Sequence, residues 1–186
     1  MGQRTTDVAR RLPRELDALL GVPQGVRRAA EEISASTRDA RTRAYDRAYS
    51  TPIDYAGKGR DVEAVLQRIP PRTLHRAVQE ANDAMREAGV RNRQIMAEIG
   101  NEGDVVFREM PNVQQLDYIK RAFDGLAQDS IDGVTGRMSS EGAFANRIAR
   151  DLSDALGDAV PAYREALSQA ADGFTLERAA EIRADA

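Results

Sequence analysis

The 186-residue chain contains no cysteine and no tryptophan, a single histidine, and only two lysines, Lys58 and Lys120. Without thiols there can be no disulfide framework, no thiolate zinc site and no cysteine nucleophile. Aromatics make up only 5% of residues, which leaves little of the stacking surface that a sugar-cleaving cleft uses. No apolar run reaches the length of a membrane span, and the first residues carry Arg4, Arg10, Arg11 and Arg14 without a signal-peptide core. Neither a membrane-spanning protein nor a secreted precursor is expected.

What the chain does contain is alanine, 30 residues of it, and arginine, which supplies 25 of the 27 basic side chains. With Glu, Leu and Gln these are good helix formers, whereas β-branched residues are sparse. An all-α fold follows: a multi-helix bundle, with elongation allowed and at most one short β-hairpin or strand pair near 103–109. Net charge is −3, graded from +3 over residues 1–50 (10 basic, 7 acidic) to −5 over residues 151–186 (3 basic, 8 acidic). A pI of about 5.4 argues against affinity for nucleic acid spread over the whole surface.

Helical spacing organises most of the chain. Val8, Leu12, Leu16, Leu19 and Leu20 mark a first helix broken at Pro13. From Gln24 to Tyr49, Val26, Ala30, Ile33, Thr37, Ala40 and Ala44 trace one thin seam along a long helix. Residues 50–60 read as a loop, and Asp61 as the N-cap of a short helix ended by Pro70-Pro71. Pro71 opens a helix striped by Leu74, Ala77, Val78, Ala81 and Met85 and closed by Gly89. Residues 90–99 can form another short helix, and Val105-Val106-Phe107 a short strand whose candidate partner lies near Tyr55. Asn112 and Gln115 form a capping pair for a helix lined by Val113, Leu116, Ile119 and Phe123. After a Gly- and Asp-containing loop, Phe144, Ile148, Leu152 and Leu156 advance by fours toward Gly157, and Pro161 opens a helix with Tyr163, Leu167 and Ala170 inward. A short acidic tail helix completes the chain. The expected division is an N-terminal region, 1–50, and a helical core, 51–186.

Candidate chemistry is thin. Gly57-Lys58-Gly59 lacks the spacing of a phosphate-binding loop. His75 has no second histidine or cysteine with which to hold a metal, and no serine sits in a nucleophile elbow. Glu31-Glu32 and the group Glu98, Glu102 and Asp104 read as solvated acids. Asp129 to Gly133 has a fragment of calcium-loop character without the required spacing. No catalytic residue, cofactor or metal is therefore assigned. Arg10, Arg11 and Arg14 could touch nucleic-acid phosphates along one helix face. Further on, Arg27 to Arg47 are interleaved with acids, as in intrahelical ion pairs.

Three stretches carry a resemblance. Ala44 to Asp54, reading Ala-Tyr-Asp-Arg-Ala-Tyr-Ser-Thr-Pro-Ile-Asp, resembles the Tyr-Asp-x-Ala-Tyr-x-x-Pro segment of a helical region in large phage and prophage proteins. Leu116 to Asp124 resembles that region's Leu-Asp-Tyr-Val-Lys-Arg-Ala-Leu-Asp helix, and Val160 to Ala166 its Val-Pro-x-Tyr-x-x-Ala ending. The residues concerned are Tyr45, Tyr49, Pro52, Leu116, Tyr118, Lys120, Phe123, Pro161 and Tyr163. In physical terms they read as packing groups, with Leu116, Ile119 and Phe123 inward, Tyr118 and Lys120 flanking, Lys120 paired to Asp117 or Asp124, and the Tyr45 and Tyr49 hydroxyls at the rim. The resemblance implies a non-catalytic structural or interaction component of a virion or its DNA-delivery apparatus, located in the virion or the host cytoplasm. Its partners would be other phage-encoded proteins or further copies of the chain. The alternative is a small module that binds DNA or a host protein through the Arg-rich N-terminal helices.

Overall fold

The computed structural model describes residues 24–90, 93–101 and 103–184. The expected broken helix over Thr6 to Leu20 lies outside them, as do Arg10, Arg11 and Arg14. The described residues form six helices and one antiparallel hairpin: α1 (Gln24–Ser50), α2 (Arg60–Gln67), α3 (Pro71–Glu87), β1 (Ala97–Ile99), β2 (Val105–Phe107), α4 (Val113–Asp129), α5 (Ser140–Ala159) and α6 (Pro161–Ala184). The fold is all-α with a short hairpin, as composition and periodicity predict.

The chain divides into two compact units, residues 46–164 and residues 1–45 with 165–186. In the first, α4 packs against both α3 and α5, α2 packs on α5, and the hairpin leans on α3. The apolar stripes account for these contacts. Leu74, Val78 and Met85 of α3, Leu116, Ile119 and Phe123 of α4, and Ile148, Leu152 and Leu156 of α5 are all buried. Each large side chain removed from water contributes about 1.5–3 kcal/mol before conformational entropy is subtracted. Helix boundaries follow local chemistry. Asn112 accepts from the Gln115 N–H at 3.0 Å while the Gln115 side chain accepts from the Asn112 N–H at 2.8 Å, which closes a capping box. Gly89 takes φ 79° just past α3, where a left-handed residue ends a helix without Cβ strain.

In the second unit the seam is built from small residues. Gly173 of α6 is buried, and a Cβ placed on it would lie 3.5 Å from the Thr37 Cβ of α1. Ala44, Ala166 and Ala170 are buried as well.

Several expected details are corrected. Residues 97–99 are a strand and not the end of a helix. They pair with β2 in the register Ala97 to Phe107, Glu98 to Val106 and Ile99 to Val105. The four-residue spacing of Ile95 and Ile99 imitates a helix, but the Asn82 side chain holds the segment extended. Its Oδ1 accepts from the Ile95 N–H at 2.7 Å and its Nδ2 donates to the Ile95 carbonyl at 3.0 Å. β2 thus finds its partner upstream of itself and not beside Tyr55, whose hydroxyl donates instead to the Pro111 carbonyl at 2.6 Å. Gly59 and not Asp61 is the N-cap of α2, and Asp61 sits in the first turn. Gly157 lies buried inside α5, which runs on to Ala159, because Val160 and Pro161 impose the break. On α6, Ala166 takes the inner position in place of the half-buried Leu167, and the tail continues α6 without a second start.

Candidate functional site

Three segments remote in sequence bring polar groups together around one carboxylate. Asp117 is the single buried charged residue among those described, at 1% exposure. It lies on α4 next to Leu116 and one turn after Val113, so the helix aims it into the same packed face as the apolar stripe. The Tyr49 hydroxyl, near the end of α1, donates to its Oδ2 at 2.6 Å. The Tyr163 hydroxyl, in the first turn of α6, donates to its Oδ1 at 2.7 Å. Arg121, one helical turn along, places its guanidinium 2.6 Å from Oδ2 and also donates to the Tyr49 hydroxyl at 3.2 Å. The Arg121 guanidinium carbon stands 5.0 Å from the Tyr118 ring centroid, within cation–π range.

Each oxygen of Asp117 is therefore occupied, and the carboxylate has almost no solvent-accessible surface. A general base or nucleophile must reach a substrate atom. Here the approach is filled by the chain's own hydroxyls and guanidinium. The arrangement serves as a polar staple: it satisfies a carboxylate that would be costly to bury alone, and it fixes the positions of Tyr49, α4 and Tyr163 relative to one another.

The residues singled out from the sequence converge on this staple to different degrees. Tyr49 and Tyr163 touch it directly, and Tyr118 touches it through Arg121. Leu116 and Phe123 lie on the same helix as Asp117 and are fully buried. Pro161 opens the helix that carries Tyr163. Lys120 faces away and pairs with Asp124 at 2.7 Å, not with Asp117. Pro52 is exposed in the loop after α1, and Tyr45 is half-buried in the other unit. The Tyr49 hydroxyl sits in a part-buried position, donating to the buried Asp117 and accepting from the half-exposed Arg121. The sequence carries one signal for Asp117, the i to i+4 step from Val113 that places it on the inner stripe, and none for Arg121.

Beside the staple, a groove of about 370 Å³ between α3 and α4 is lined by Arg76, Glu80, Ala84, Tyr118, Arg121 and Leu126, among others. A second, of about 360 Å³, lies between α2, the start of α3 and strand β2. The loop from Asp54 to Gly59 satisfies its own amides. Asp54 Oδ1 accepts from the Ala56 and Gly57 N–H groups, each at 3.1 Å, so these donors are turned inward and not toward a phosphate. In the loop after α4, Asp132 Oδ1 accepts from the Val134 and Thr135 N–H groups and from the Thr135 hydroxyl. Those bonds hold its carboxyl below the usual carboxylate range. Glu98 pairs loosely with Arg108 on the outer hairpin face at 3.8 Å. Among the described residues no group of three or more His, Cys, Asp or Glu side chains is placed to hold a metal ion. No described helix is long and apolar enough to cross a membrane.

Comparison with protein-family models, with curated proteins and with solved structures gives no match for this chain.

Proposed function

We propose that the chain is a non-catalytic structural or interaction component of a phage or prophage particle or of its DNA-delivery apparatus. One observation supports the reading above the others. The three stretches that resemble the phage region each supply a member of the Asp117 staple, namely Tyr49, Asp117 and Tyr163. Residues that make the resemblance specific are thus engaged in holding helices together, which is what a scaffold requires of them. The partners on this reading are other phage-encoded proteins or further copies of the chain, within the virion or the host cytoplasm.

The test is a mass-spectrometric inventory of particles purified after prophage induction, together with a light-scattering mass of the isolated chain. The chain should co-purify with particles at a fixed stoichiometry. Its absence from purified particles and from every prophage-encoded assembly would overturn the proposal. A monomeric mass in solution would direct the reading to hetero-association within the particle.

A further inference from the structure

The groove beside β2 has a feature that the helical grooves lack: one wall is the free edge of a strand. The Arg108 N–H donates to the Met96 carbonyl at 2.9 Å and the Gly100 N–H to the Asp104 carbonyl at 2.8 Å. By the alternation of an antiparallel ladder, Glu98 and Val106 exchange the central bonds. Val105 and Phe107 therefore turn their N–H and C=O groups away from β1. Among the described residues no other element bonds to them. The groove is lined by residues of β2 and none of β1, so this outward edge is the one that faces it. The rest of the apolar lining comes mainly from α2 through the start of α3 and includes the buried Leu66, Ile69 and Leu74. The ionisable groups of the lining are Glu63 and Asp104, both acidic.

We infer that this groove takes an extended segment of a partner protein as a third strand on β2, with apolar side chains alternating toward Leu66 and Leu74 and basic residues set against Glu63 and Asp104. The main chain of such a segment supplies the bonds that Val105 and Phe107 leave unmade, and alternate side chains enter the groove. A helix cannot satisfy the strand edge, because its own amides are already paired. A second copy docking by the same edge would set Glu63 and Asp104 of each chain against the same acids of the other. A basic partner segment meets no such repulsion. The inference goes beyond membership of a particle and stands without it, since the groove would bind such a strand wherever the chain resides.

A displayed library of random decapeptides selected on the full chain tests this directly, with the strongest sequences then synthesised and titrated by NMR. The enriched peptides should alternate β-branched or aromatic residues with polar ones and carry Lys or Arg, and they should shift the amides of Val105 and Phe107. Val105→Pro removes an outward N–H while sparing the β1–β2 bonds and should weaken binding at least tenfold. The double variant Glu63→Lys with Asp104→Lys should weaken it by a similar factor and keeps the test decisive if the proline variant does not fold. The inference is overturned if no sequence is enriched, if enriched peptides are acidic or bind both variants equally, or if dilution alone shifts the same two amides, which would identify a second copy as the occupant. Particle membership is read by a separate inventory, so failure of either proposal leaves the other standing.

Discussion

The Tyr163 hydroxyl donates to Asp117 Oδ1 across 46 residues of chain, 2.7 Å from donor to acceptor and fully inside the protein. Tyr163 is itself 0% exposed. A buried phenol and a buried carboxylate thus share one hydrogen bond, and losing either removes that bond from a packed interior.

Replacing Asp117 with Asn should therefore destabilise the protein by on the order of 3 kcal/mol, because it removes the negative charge on which the Arg121 guanidinium and two phenol donors converge. Arg121 is half-exposed, which moderates the charge part of the loss. Tyr163→Phe should cost about 1–2 kcal/mol, since it leaves the carboxylate its two other donors. Urea melts of the two single variants and the double variant should show non-additive losses. Additive losses would mean that the groups do not cooperate.

Tyr55 predicts an alkaline limit to stability. Burial, and secondarily the charge of Glu63, raises its phenol well above the ordinary value of 10.0. The fold thus favours the neutral phenol. That stabilisation is fully present below pH about 10 and is lost as pH climbs further toward the raised value. Tyr55→Phe should cost about 1 kcal/mol near neutrality, through the bond to Pro111, and should flatten the alkaline fall. Melting temperatures from pH 8 to 12 for both proteins check this; parallel curves would refute it.

Gly59 and Lys58 separate a packing role from a phosphate role for the loop before α2. A Cβ on Gly59 would approach the Asp54 carbonyl oxygen to 2.8 Å and the Tyr55 Cα to 2.9 Å, both main-chain atoms with little room to give. Its φ of −67° is ordinary, so the glycine is needed for space and not for conformation. Gly59→Ala should cost about 1–3 kcal/mol, while Lys58→Ala should stay within about 0.5 kcal/mol. Equal effects in chemical denaturation would contradict this account.

Asn82→Ala should release the hairpin while leaving the helices folded. Ile95 is buried, and both its main-chain groups bond to the Asn82 side chain. Truncation removes both bonds from part-buried main-chain groups, at about 1 kcal/mol each. Amide exchange at 95–99 should accelerate at least tenfold, with exchange in α4 much less affected. Uniform acceleration through the protein would place the hairpin in the global unfolding unit instead.

Local chemistry made much of this fold legible from sequence. The start of α4 could be read from Asn112 and Gln115 because both halves of its cap lie within one turn. The stripes of α3 and α5 repeat at helical spacing whatever surrounds them. Residues 95–99 were opaque because their conformation is set by a side chain on α3 and by pairing with β2. Neither influence is visible in the segment, whose Ile95 and Ile99 suit a helix equally well. Asp117 was hidden for a related reason. Its spacing from Val113 turns it inward, but beside Lys120 and Arg121 it resembles any surface acid, and the phenols that satisfy it lie 68 and 46 residues away. Each motif stretch contributes one of Tyr49, Asp117 and Tyr163, but that the three meet on a single carboxylate is evident only with the helices in place.

The staple also imposes an order on how the chain is made. Asp117 leaves the ribosome after Tyr49 but 46 residues ahead of Tyr163. At roughly 5–20 residues per second, several seconds pass in which the carboxylate lacks its second phenol. During that interval α3 and α4 can already pair, while the surface reserved for Tyr163 stays open. The last closure of this unit therefore awaits the arrival of α6, and synthesis that stops short of it leaves a charged vacancy in the core.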